Sequence, residues 1–197
     1  MKAKQFLLMG VAVIAMLTTN SLVFAANGQA HTSGGTSLVQ DVRSATTKFQ
    51  DFSTIKAAGY TMLHGCVAGP LGGAMGVHYV NGDLVGDAKV DVTKPEVLMY
   101  EMRGGRMQLL GVEYVVFAEA WDKANKMPPV LKGQLFAYNT APNRYGIPAY
   151  YGLHVWAWRA NPSGTFADWN PRVSCDEYNG ENAMISMTSH TSHRPAY

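Results

Sequence analysis

The sequence is poor in the patterns that announce a reaction. Its 197 residues hold two cysteines, Cys66 and Cys175, with no CxxC spacing to lower a thiol pKa, so a redox-active dithiol is disfavoured. There is no GxSxG elbow for a serine nucleophile. The glycine-rich stretch 69–73 lacks the Lys-Ser/Thr that completes a phosphate-binding loop. No Lys/Arg cluster interleaved with aromatics tracks a phosphate backbone, so nucleic acid is not an expected partner. No HxH, HExxH or HxD run places two metal ligands on one element. Internal repeats are missing as well.

Long apolar runs are confined to one place. Residues 6–18 form a mostly apolar stretch of 13 residues, preceded by Lys2 and Lys4 and followed by the small-residue cleavage chemistry of Val23-Phe24-Ala25. That length falls short of the roughly 20 residues that cross a hydrocarbon core. Residues 1–25 are therefore expected to be a cleavable signal peptide, and the mature protein to be periplasmic or secreted, with no transmembrane segment. The chain carries 16 basic and 14 acidic residues, and loss of Lys2 and Lys4 brings the two to parity. In an oxidising compartment the two cysteines are expected to pair as a Cys66–Cys175 disulfide.

Four divisions are expected: the signal, a flexible leader rich in small polar residues over 26–36, a single globular domain over 37–175, and a mobile polar tail over 176–197. Ser37 with Gln40 fits a capping box, and Leu38, Val42, Ala45 and Phe49 share one helical face. Asp51 or Ser53 could cap a second helix that Gly59 stops. Beyond it the period becomes strand-like at 75–80, 97–102, 107–117, 131–138 and 149–158, with a short helical excursion over 118–126. Asn81-Gly82 is a hairpin signal, and Arg103-Gly104-Gly105-Arg106 joins two apolar runs. The expected fold class is α+β: two N-terminal helices, then a mainly antiparallel sheet that could curl into a half-barrel.

Several phrases occur together: Ala45-Thr46 through Ala57-Ala58-Gly59-Tyr60, Gly65-Cys66, Ala74 through Asn81, Gly111-Val112-Glu113-Tyr114, and His154-Val155-Trp156 through Asp168-Trp169-Asn170-Pro171. In combination they resemble a family of uncharacterised exported bacterial proteins, over roughly residues 46 to 175. The resemblance implies export and no particular activity.

The residues that could carry chemistry are polar ones in apolar strands. Glu113 lies in the run 109–117, which reads as buried on both faces, and an ionised carboxylate there must be protonated, paired or bound to a cation. His78 and His154 stand in equally apolar company. Two imidazoles and one carboxylate match what a divalent zinc, iron or copper ion requires, with positions left open for water or substrate. His64, near Cys66, could add a fourth ligand. The same residues could instead satisfy one another structurally, or run proton transfer without metal, Glu113 as base and His154 as acid. Met184, Met187, His190 and His193 recur every three residues in the tail and could capture copper. Tyr150, Tyr151, Trp156, Trp158 and Trp169 could line a groove for a sugar or an apolar ligand. Three functions stay open: an exported protein that binds a metal or small molecule, a hydrolytic or oxygen-dependent metalloenzyme, and a structural domain without ligand.

Overall fold

The computed structural model describes residues 37–180. The stretch read as signal and leader lies outside them, as do Met184, Met187, His190 and His193. Helix α1 (Leu38–Thr46) starts where the capping box places it: Ser37 Oγ accepts from the Gln40 N–H, and Gln40 Oε1 accepts from the Ser37 N–H. Leu38 and Val42 face inward, each such burial stabilising the fold by about 1.5–3 kcal/mol. Thr46 is also buried, its hydroxyl donating to the Val42 carbonyl and accepting from the Trp158 indole. The chain continues in 3-10 turns at Thr47–Gln50 and Phe52–Thr54. Asp51 does cap, but it heads one 3-10 turn and then a looser turn rather than the second α-helix expected there. Gly59, at φ +85°, ends this segment.

Eight strands are formed among the described residues: β1 (Thr61–Ala68), β2 (Ala74–Val80), β3 (Val97–Arg103), β4 (Arg106–Phe117), β5 (Val130–Leu131), β6 (Gln134–Leu135), β7 (Ala137–Asn139) and β8 (Tyr150–Val155). Six of them make one curled antiparallel, half-barrel-like sheet in the spatial order β1-β2-β3-β4-β8-β7. Helices α2 (Gly82–Gly86) and α3 (Ala118–Ala124) follow β2 and β4. The Arg103–Arg106 hairpin forms as expected, Gly104 and Gly105 supplying the two positive φ angles that a tight reversal needs.

Two further readings of the sequence need correction. Asn81-Gly82 makes no hairpin: the Asn81 carboxamide oxygen accepts from the N–H groups of Asp83 and Leu84 and so caps α2. The run 131–138 is not one strand, because Lys132 and Gly133 both take positive φ and fold it back as a separate hairpin of β5 with β6. Only Ala137–Asn139 reaches the main sheet. Conversely, residues 61–68 carry no strand signal in the sequence, since the glycine and half-exposed positions of β1 blur its alternation.

Alternation along the remaining strands separates two faces. Val77 and Tyr79, Leu98 and Tyr100, Val112 and Tyr114, and Leu153 and Val155 belong to the main core with α1 and the 3-10 turns. Buried tyrosine hydroxyls there are satisfied by backbone carbonyls: Tyr100 donates to Phe49, Tyr60 to Pro95, and Tyr114 to Val92. The residues in between, His78, Glu113 and His154 among them, face the other way.

A tether closes the far end. Ala74 and Asn170 exchange backbone hydrogen bonds, and Cys66 is joined to Cys175 across 109 residues. Glu101 is buried beneath this tether, paired with Arg159 and accepting from the Ser174 N–H. Beyond Cys175 the described residues still touch the fold: the Tyr178 hydroxyl lies 3.1 Å from Met62 Sδ. Among the described residues no helix is long and apolar enough to cross a membrane.

Candidate metal centre

Glu113 and His154 are directly opposed on neighbouring strands β4 and β8. His78 comes from β2, with β3 between it and β4. Adjacent strands lie about 4.8 Å apart, so β2 and β4 are separated by roughly twice that. Curling of the sheet brings their side chains together over β3. One donor atom from each of His78, Glu113 and His154 lies within 4.8 Å of the other two, and all three residues are buried. His78 Nε2 stands 3.9 Å and His154 Nε2 3.8 Å from Glu113 Oε2. Both separations exceed a hydrogen bond.

The two imidazoles differ in their outer partners. His154 Nδ1 meets Asp168 Oδ1 at 3.2 Å, which holds the proton on that nitrogen. Its Nε2 faces Glu113, and this buried atom has no hydrogen-bond partner among the described residues. Such a carboxylate–histidine arrangement orients metal-binding imidazoles and raises their basicity. Sequence reasoning misses Asp168 as a site residue because it lies in an irregular segment with its side chain 58% exposed. That segment is nonetheless fixed, by the Trp156 indole donating to the Ala167 carbonyl and by the Ala74–Asn170 pairing.

Burial and neighbouring charge set the protonation of the group. Desolvation, reinforced by His154, pushes the His78 pKa down to about 3, so this imidazole is neutral. Desolvation raises the Glu113 carboxyl, an effect partly opposed by His154. For His154 desolvation acts downward, but Glu113 and the hydrogen bond to Asp168 outweigh it and the net direction is up. His78 is thus held neutral, while His154 favours a proton shared between the negative fields of Glu113 and Asp168.

Gly152 makes room for the carboxylate. A Cβ at this position would lie 2.9 Å from Glu113 Oε1, closer than real contacts allow. Two cavities meet at Glu113. One, of about 250 Å³, is walled mostly by aliphatic side chains, with His64, His78 and Glu113 among its few polar groups. The other, about 240 Å³, is polar and includes His154, Asp168, Asn139 and Arg144. Met75, Tyr145 and Tyr150 border both.

His64 pairs with His78 in the β1–β2 register but is not among the converging donor atoms. The aromatics considered for a groove are dispersed: Tyr150 lines the cavities and Trp169 the polar one, whereas Tyr151, Trp156 and Trp158 pack in cores. A further buried acid carries no signal in the sequence: Glu96, which accepts the Val115 N–H and whose pKa burial raises to about 8. No protein-family model, curated protein or solved structure matches the chain.

Proposed function

We propose that this is an exported protein that binds one divalent transition-metal ion, zinc by preference, through His78 Nε2, the Glu113 carboxylate and His154 Nε2. The observation that carries the reading is the buried His154 Nε2, without a hydrogen-bond partner among the described residues and turned toward Glu113 while Asp168 occupies the other ring nitrogen. Two ligands about 2.0–2.1 Å from a tetrahedral ion stand roughly 3.4 Å apart. The gaps of 3.8 and 3.9 Å to Glu113 thus need to close by about half an ångström, and the two imidazole donors, within 4.8 Å of each other, must draw together around the ion.

Two imidazoles and a carboxylate suit zinc or iron(II), and this set contains no thiolate or thioether to favour copper(I). A divalent ion held there would take the place of the proton that His154 favours, pair with the Glu113 carboxylate and offer a Lewis-acidic position beside the apolar cavity. The chain's own groups have simpler duties. Asp168 keeps the His154 proton on Nδ1, Gly152 leaves space for Glu113, and burial keeps His78 neutral and ready to donate its lone pair.

Export is supported by the Cys66–Cys175 disulfide, which is compatible with an oxidising compartment. Metal analysis of untagged protein tests the proposal. One equivalent is expected in the wild type and much less in His78→Ala and His154→Ala. Metal-free wild type after reconstitution with zinc would sink it.

A further inference from the structure

His64 is not one of the converging metal donors, yet its surroundings demand a partner. Its Nε2 is buried and has no hydrogen-bond partner among the described residues. The ring lies 5.9 Å from that of Tyr145 and lines the aliphatic cavity together with His78 and Glu113. The β1 strand is irregular on both sides of His64, a distortion of the kind that re-aims a side chain next to a site. Directly opposed residues of antiparallel strands point to the same face, so His64 and His78 present their rings side by side.

The rest of that cavity is apolar. Val97, Val115, Phe117 and Ile147 are among its walls, with Val85 of α2 beside them. Its volume of about 250 Å³ corresponds to roughly eight waters at about 30 Å³ each, or to a molecule of about ten non-hydrogen atoms. An occupant must leave the walls dry and still offer oxygen atoms at the histidine end. One oxygen would face the open position at His78, Glu113 and His154, and a second would accept from His64 Nε2–H.

We propose that the cavity binds a small aliphatic monocarboxylate, its carboxylate directed at the metal group and His64 and its chain lying among Val97, Val115 and Phe117. A carboxylate supplies two acceptors on one carbon and an anionic head for the cation. The inference rests on the metal reading for its first oxygen and on His64 and the cavity walls for the rest.

Calorimetry on zinc-loaded protein with acetate, butyrate, hexanoate and octanoate tests it, with metal content measured in parallel. Affinity is expected to climb about fourfold per methylene until the cavity is full. Octan-1-ol should bind at least tenfold more weakly than octanoate. His64→Phe keeps an aromatic ring but removes the Nε2 donor, and should weaken octanoate at least tenfold without lowering bound zinc. Val115→Phe should abolish the chain-length dependence, and Val85→Phe, on the adjoining helix, makes the same test should the first variant not fold. Protein that holds zinc but shows no chain-length dependence, or binds octanol as well as octanoate, overturns this proposal and leaves the metal site standing. Protein that holds no zinc yet binds octanoate through His64 overturns the metal site and keeps the cavity's ligand.

Discussion

The carboxylate of Asp168 sits 3.2 Å from His154 Nδ1, although the first residue belongs to an irregular segment and the second to the strand β8. The imidazole is thus oriented from outside the sheet. Asp168→Asn should keep the shape and lose the charge. Zinc affinity, measured by competition with a chromophoric chelator, is expected to drop about 10–100-fold, the usual cost of losing an outer partner. An unchanged affinity would show that Asp168 does not orient His154.

Gly152 offers a test of the carboxylate's position. In Gly152→Ala the new methyl group would crowd Glu113 Oε1 and Tyr150, at 2.9 and 3.1 Å. Overpacking of this kind costs about 1–3 kcal/mol. Both the melting temperature and zinc affinity should fall, the affinity more steeply than in a Val115→Ala control at the neighbouring cavity wall.

Glu96 predicts a pH dependence. Its native pKa of about 8 lies above the unfolded 4.5, so between these values the native state holds a proton that the unfolded chain has released. The stabilising contribution is complete below pH 4.5 and is lost as pH rises through 8. Each pH unit in that window is worth about 1.4 kcal/mol at most. Glu96→Gln keeps an acceptor for the Val115 N–H and should flatten this slope, gaining stability over the wild type at about pH 8 and little at about pH 4. Parallel denaturation curves for the two proteins at both pH values would refute the assignment. His78, with its pKa lowered from 6.5 to about 3, acts oppositely, contributing stability above 6.5 that is lost as pH falls toward 3.

The Cys66–Cys175 bridge closes a loop of 109 residues, worth about 5 kcal/mol in the chain-entropy account. Reduction, or Cys175→Ser, should lower the melting temperature markedly. Because the bridge anchors the end of the segment bearing Asp168, zinc affinity should fall too. Full retention of both quantities under reductant would mean that the bridge is dispensable for fold and site alike.

Strands β2, β3, β4 and β8 are legible in the sequence because β-branched and aromatic residues fill them, and the histidines and glutamate of the site stand out as polar exceptions in those runs. Convergence is not legible. His78 and Glu113 are brought together by the curl of the sheet over β3, and curvature leaves no mark in a local pattern. Asp168 is hidden for a related reason, since its partner is reached through contacts made by Trp156, Ala74 and Asn170 rather than through spacing. Glu96 escapes notice because it precedes its strand by one residue and shows its burial only through the Val115 N–H.

The Ala74–Asn170 pairing and the bridge beside it hold the last described segment at two points, one reversible and one covalent. With the thiols reduced, the segment around Cys175 would lose its covalent anchor, while Asp168 would keep the Ala74–Asn170 pairing and the Trp156 indole to hold it. Oxidation would then tighten the support of the proposed metal site rather than create it.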